Sequence, residues 1–316
     1  MYVFSVAAKS DAGLGDRSAV ASVSTSSAKP TAPSASHQTA SSISLEWSAP
    51  TVDTGVSETG YRLYEVSVDS SATKTYSLEY EGEAAEVELS SLSSGTLYTY
   101  VVSVMSDAGE SDKSDEMTAS TAPGVATALV STHQSSSSIT LSWAKAPVDT
   151  GSAVTGYKVY ARVEHDGVAI DTLMYDGRGD TATVTDRTTE LNDLEGGTTY
   201  TLLVGALSAS GESDRSASVD ISTCPSAPSA LTSVSQTTTG MVLSWSAPAV
   251  TSGEGVTGYL VYRNDGDGTA VDVLAYNGRL DTSTGCVVSG LTLSLIHISE
   301  PTRPERISDA VFCLKK

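Results

Sequence analysis

Cysteine is scarce in this sequence, three in 316 residues, which is too few for a disulfide framework. Basic residues are short as well: 18 Lys and Arg stand against 38 Asp and Glu, and the net charge of −20 argues against nucleic acid or anionic lipid as a partner. No apolar run approaches the ~18 residues of a transmembrane helix. No segment sustains a helical apolar stripe over three turns, and no Asn-x-Ser/Thr sequon occurs. With 39% hydrophobic and 18% charged residues, the composition is that of neither a membrane protein nor a highly charged disordered chain. At ~100–200 residues per domain the length predicts two or three domains.

What the chain does hold is a long repeat. Its three tryptophans lie in Ile43-Ser44-Leu45-Glu46-Trp47, Ile139-Thr140-Leu141-Ser142-Trp143 and Met241-Val242-Leu243-Ser244-Trp245, spaced by 96 and 102 residues. Fourteen residues after each comes a Gly-Tyr step, at Tyr61, Tyr157 and Tyr259. Leu92 and Leu194 each precede a tyrosine by six residues, Tyr98 and Tyr200, which lead into Ser106-Asp107-Ala108-Gly109 and Ser208-Ala209-Ser210-Gly211. Tyr2 opens the same piece, running to Ser10-Asp11-Ala12-Gly13. A period near 100 residues marks a repeated domain and not a solenoid unit.

Within each unit apolar and polar residues alternate, as Ile43, Leu45 and Trp47 do with Ser44 and Glu46. Period two with one polar face describes a strand half-buried against a second sheet. Clusters of Ser, Thr, Gly, Asp and Pro separate about seven short strands per hundred residues, which predicts an all-β sandwich.

A Trp ending the second strand, a Tyr opening the third and a Leu six residues before the Tyr of the sixth resemble the fibronectin type III module, over residues 1 to about 292. The resemblance implies tandem immunoglobulin-like sandwiches, two complete and two partial, without the disulfide of antibody domains. It implies that Tyr2, Tyr98 and Tyr200 are tyrosine corners, and that Trp47, Trp143, Trp245, Tyr61, Tyr157, Tyr259, Leu92 and Leu194 are core anchors. The expected divisions are 1–28, the last two strands of a module; 29–122 and 123–223, whole modules; and 224–292, a truncated one. The encoded protein is expected to begin upstream of Met1, so the lack of a signal peptide is uninformative. Residues 293–316 break the pattern: the corner tyrosine falls on His297, and the tail resembles translated sequencing-adapter read-through with no native fold. Its four basic and three acidic residues contribute +1, leaving −21 on residues 1–292.

Few residues invite chemistry. His37 and His133 occupy equivalent places in separate modules, His165 lies in a turn, and no His pair or Ser/His/Asp set has a reason to assemble, so no catalytic residue, metal or cofactor is expected. Cys286 takes an inward strand position and Cys224 a linker position, as a small buried residue and a free thiol. Arg178-Gly179-Asp180 is an Arg-Gly-Asp tripeptide. The resemblance implies an adhesive site when that tripeptide sits between the last two strands, but here it precedes an expected strand Thr181–Thr185, and Arg279 and Asp281 repeat its ends. Asn264-Asp265-Gly266-Asp267-Gly268 reads as a hairpin turn, since it lacks the alternating ligands and terminal Glu of a calcium loop. The acidic stretches 107–115 and 211–214 read as solvated loop tips.

The resulting expectation is an acidic, extended, semi-rigid rod of modules each roughly 35 Å long, joined by short links stiffened by Pro30, Pro33, Pro123, Pro225 and Pro228. Its role is non-catalytic: extracellular protein–protein interaction, adhesion or spacing at the cell surface or matrix. The alternative is an accessory segment of a secreted or surface enzyme whose catalytic domain lies elsewhere, and a cytoplasmic filament-associated scaffold is a third possibility. Residues 1–27 and 224–292 supply complementary strands, which predicts head-to-tail self-association.

Overall fold

A computed structural model describes residues 2–50, 57–264, 271 and 273–291. They form an all-β chain with one short helix. The chain divides into two compact units, the described residues of Met1–Val130, Leu141–Thr189 and Thr201–Val219, and those of Ser131–Thr140, Glu190–Tyr200 and Asp220–Lys316.

The first sandwich pairs a three-stranded sheet, Ser34–Gln38, Ile43–Glu46 and Glu86–Leu89, with a five-stranded one. In the latter, Gly109–Glu110, Leu97–Ser106, Glu58–Val68 and Lys74–Gly82 lie in that order, and Met117–Ser120 also pairs with Leu97–Ser106. Alternation decides which side chains enter the core: Ile43, Leu45 and Trp47 from one sheet pack with Tyr61, Leu63, Tyr100, Val102 and Val104 from the other. The second sandwich repeats this with Thr127–Gln134, Ile139–Ala144 and Thr188–Leu191 in one sheet. Its other sheet holds Gly211–Glu212, Thr199–Ser208, Val154–His165 and Val168–Asp176, with Val219–Ser222 beside Thr199–Ser208. The third repeat forms the sheet Ser229–Gln236, Gly240–Ser246, Gly285–Ser289 and the pair Tyr259–Arg263 with Val273–Gly278.

The Trp-to-Tyr spacing has a direct physical meaning. Each Trp packs on the Tyr fourteen residues later, with ring centroids 5.7 Å apart for Trp47–Tyr61, 5.3 Å for Trp143–Tyr157 and 5.2 Å for Trp245–Tyr259. All six rings are buried. Among the described residues no indole N–H of the three has a hydrogen-bond partner, so the indoles act through apolar contact alone, whereas the Tyr157 hydroxyl accepts the Ala146 amide at 3.1 Å. The glycine before each Tyr permits close strand approach: a Cβ on Gly60, Gly156 or Gly258 would lie 2.7, 2.2 or 2.0 Å from the carbonyl oxygen of Gly82, Gly177 or Gly278.

Two findings depart from the sequence expectations. Tyr2 is no core residue here. Residues 2–23 form a hairpin, Tyr2–Phe4 with Ala21–Val23 and Ala7–Ser10 with Gly13–Arg17, and Tyr2 is 60% exposed. Phe4 and Val6, 58% and 71% exposed, are the repeat counterparts of Tyr100 and Val102, which are fully buried. These side chains meet no second sheet among the described residues. Thr181–Thr185 is a short α-helix and not a strand: Asp180 accepts the Ala182 N–H through its side chain and caps the turn, which favours the helical start over an extended one.

Candidate functional site

The Arg178-Gly179-Asp180 tripeptide follows the strand Val168–Asp176. Gly179 adopts φ +76° with open space around it, and Arg178 is exposed. Asp180 is committed elsewhere. One carboxylate oxygen accepts the Tyr175 hydroxyl, and the other accepts the Ala182 amide at 2.9 Å. Those bonds, Tyr175 first, hold its carboxyl below the ordinary range. The third repeat builds the same closure, with the Tyr276 hydroxyl 2.6 Å and the Ser283 amide 2.9 Å from Asp281. In the first, Tyr80 closes its turn on the backbone of Ala84. A strand tyrosine thus anchors the turn in each repeat, and in the second and third an Asp completes it.

A second cluster lies on the outer face of the five-stranded sheets. In the first sandwich Glu110 accepts from Tyr64 at 2.8 Å, Ser103 at 2.7 Å and Arg62 at 3.0 Å, while Arg62 also donates to Glu81 at 2.8 Å. Lys113 Nζ covers the Tyr64 ring at 4.3 Å and the Tyr76 ring at 5.1 Å. In the second sandwich Glu212 accepts from Tyr160 at 2.5 Å and Lys158 at 3.0 Å, and Arg215 covers the Tyr160 ring at 3.8 Å. Asp171 takes Arg162 through two bonds, 2.7 and 2.9 Å, and Arg215 through a third.

The electrostatics follow. Burial pushes the Glu110 carboxyl up, but the Ser103, Tyr64 and Arg62 bonds outweigh it and leave the group below its usual value. Arg162, then Arg215, bring Asp171 down to about 2. Such carboxylates are fixed acceptors, poorly suited to proton transfer near neutral pH. The cation-covered tyrosine faces are equally unavailable for stacking on a ligand.

The sequence carries a signal for this cluster. Gly109-Glu110-Ser111-Asp112-Lys113-Ser114 matches Gly211-Glu212-Ser213-Asp214-Arg215-Ser216. These stretches were expected as solvated tips, yet Glu110 and Glu212 are half-buried. Ser111, Ser114, Ser213 and Ser216 are buried, and their hydroxyls accept the amides of Val104, Val102, Ala206 and Val204 at 2.9–3.0 Å. Alternation cannot show this, because the Ser hydroxyls take the place of a regular strand partner.

The remaining candidates stay apart. His37 and His133 are exposed on the strands Ser34–Gln38 and Thr127–Gln134, and His165 is exposed. Cys224 is an exposed free thiol and Cys286 a buried one. Among the described residues no group of three or more His, Cys, Asp or Glu is placed to hold a metal ion, and no helix is long and apolar enough to cross a membrane. The Asn264–Gly268 turn and the 293–316 tail lie outside the described residues, save Asn264. The Tyr98 hydroxyl accepts the Ser93 amide at 2.9 Å, and the Tyr200 hydroxyl accepts that of Glu195 at 2.9 Å. Leu92 packs partly buried against the first core, and Leu194 is buried.

The family model described as fibronectin type III domain matches residues 28–120 and 122–222. Chitinase A1 of Niallia circulans is 35% identical over 184 residues, 55% of this chain and 22% of that protein. Exoglucanase B of Cellulomonas fimi is 30% identical over 246 residues, 74% of this chain and 21% of that protein. The chain thus spans about a fifth of the length of these relatives. A crystal structure of chicken CNTN1 FN1–FN3 domains aligns with TM-score 0.37 and 20% identity, over 70% of this chain and 75% of that one.

Proposed function

Since the chain belongs to the fibronectin type III domain family, we propose that it is a non-catalytic run of spacer modules in a secreted protein, placed beside the catalytic domain of a polysaccharide-degrading enzyme. The single observation that carries this is the chemistry of the outer sheet faces. Their charged and aromatic groups close on one another, Glu110 on Tyr64 and Arg62, Asp171 on Arg162 and Arg215, so the wide surface depression that Arg162, Asp171, Glu212 and Arg215 line is walled by groups already paired. The relatives named as a chitinase and an exoglucanase add support, because the aligned segment is a minor part of each. Adhesion through Arg178-Gly179-Asp180 is the weaker reading, since both Asp180 oxygens are already engaged. Reading the encoding frame in both directions tests the proposal. A glycoside-hydrolase domain in the same frame is expected; a frame holding only further sandwiches, or a membrane anchor, would refute it.

A second reading concerns self-association. Phe4 and Val6 are exposed where their repeat counterparts Tyr100 and Val102 are buried, so residues 1–27 of one copy are suited to add strands to residues 224–292 of another. Light scattering across a concentration series should then show oligomers that vanish when residues 1–27 are deleted. A monomer at every concentration rejects the idea.

A further inference from the structure

Where one sandwich gives way to the next, the same set of hydrogen bonds is built twice, once inside each compact unit. It starts from a turn. In Leu92-Ser93-Ser94-Gly95-Thr96 the Ser93 amide is held by the Tyr98 hydroxyl. Thr121 Oγ1 donates to the Ser93 carbonyl at 2.7 Å and accepts the Thr96 amide at 3.0 Å, and the Gly95 amide donates to Ala122 at 2.7 Å. Gly95, at φ +62°, thereby turns its carbonyl toward the loop Pro147–Gly151 of the following sandwich. That one carbonyl accepts the amides of Asp149 at 2.9 Å and Gly151 at 2.8 Å, while Thr150 Oγ1 accepts the Leu97 amide at 3.0 Å.

In the other unit every member lies 102 residues further on. Tyr200 and Thr223 hold the turn at Glu195 and Thr198, and the Gly197 amide donates to Cys224 at 3.0 Å. Gly197, at φ +65°, accepts the amides of Thr251 at 3.0 Å and Gly253 at 2.9 Å, with that of Ser252 as a longer third at 3.4 Å. Ser252 Oγ accepts the Thr199 amide at 3.1 Å.

The residue choices at the two joints show what each contact needs. Asp149 and Thr251 differ, as do Ala122 and Cys224, because the clasp uses only their backbone; Leu97 and Thr199 also differ, and at the second joint the Thr199 hydroxyl adds a bond to the Ser252 carbonyl at 2.7 Å. Thr150 and Ser252 both keep a hydroxyl. Glycine recurs where a side chain has no room: a Cβ on Gly151 would lie 2.7 Å from the carbonyl carbon and oxygen of Gly95, and one on Gly253 would lie 2.7 and 2.8 Å from those of Gly197. Two amides on one carbonyl, backed by a corner tyrosine, form a fixed attachment and not a loose tether.

We propose that Gly95 and Gly197 are the receptors of a repeated module-to-module clasp, which holds the receiving loop of one sandwich closed against the turn of the preceding one. The clasp restricts hinge motion at each joint and couples the stability of adjacent sandwiches.

Amide hydrogen exchange on the full chain tests this. In the wild type the amides at 149, 151, 251 and 253 should be protected although they lie in loops. Gly253→Ala places a methyl group in the joint without a left-handed backbone at that position. It should speed exchange at 199, 251 and 253 by roughly tenfold or more while leaving Val102 and Val204 protected. Gly255→Ala, two residues away with nothing within 4 Å, should change none of them. Thr150→Val probes the other joint with no added bulk, and should expose the Leu97 amide alone. Wild-type amides exchanging at free-loop rates, unchanged protection at 251 in Gly253→Ala, or an equal loss in Gly255→Ala would each overturn the clasp. So would general loss of protection at Val204 in Gly253→Ala accompanied by none at Leu97 in Thr150→Val.

Discussion

Each sandwich contains one tryptophan, so a substitution can be made in one and read in the others. Trp143 is 3% exposed and packs at 5.3 Å on Tyr157, itself fully buried. Trp143→Ala removes nearly the whole ring from a core that refills only in part, at a cost of about 3–5 kcal/mol. A domain of this size holds about 5–15 kcal/mol in total, so roughly a fifth or more of its stability should go. Trp143→Phe keeps an aromatic ring on Tyr157, and the lost indole N–H has no partner to leave unpaired. Its cost should stay on the order of 1–2 kcal/mol, from the smaller apolar area buried. Urea unfolding followed by far-UV circular dichroism gives the loss, while fluorescence of Trp47 and Trp245 reports the flanking sandwiches in both variants. If Trp143→Phe costs as much as Trp143→Ala, the ring acts through its N–H, and the account of the anchors as apolar ballast fails. A loss under about 1 kcal/mol for Trp143→Ala would be equally damaging.

Three further outcomes are expected. Tyr98→Phe and Tyr200→Phe each leave one turn amide without its acceptor and keep the ring, so each should cost about 1 kcal/mol in urea titrations, with similar values at the two sites. Asp171 titrates near 2 in the folded chain, chiefly through Arg162, against an ordinary 3.8. Its folded value is depressed, so its stabilising contribution is fully present above the ordinary value and is lost as pH falls toward 2. The gap in melting temperature between wild type and Asp171→Asn should therefore close across that interval, and a gap that widens toward low pH contradicts the ion-pair assignment. Cells plated on the protein should adhere equally well to wild type and Asp180→Ala; adhesion blocked by free Arg-Gly-Asp peptide and abolished in the variant would restore the adhesive reading.

How far the residues alone lead depends on what kind of contact is at stake. Period-two alternation in Ile43–Trp47 and Tyr98–Val104 places each side chain on a face, so the sandwiches and the recurrence of Trp and Tyr were legible, while the packing of each Trp on its Tyr was not. The repeat also assigned Arg178 and Asp180 to recurring positions, although the helical turn after Asp180 was missed because a cap depends on one side chain meeting one amide. Glu110 and Glu212 were misread as solvated because their partners lie 46 and 52 residues away at Tyr64 and Tyr160, across strands whose register only the folded sheet sets.

The amino-acid order by itself determined the all-β architecture and its hundred-residue period, since both follow from apolar spacing along a strand. Tertiary structure alone decided which loops meet. The Gly95 and Gly197 carbonyls receive backbone amides, and a backbone amide is the same in nearly every residue, so the chain carries only glycines without room for a side chain as the trace of that contact.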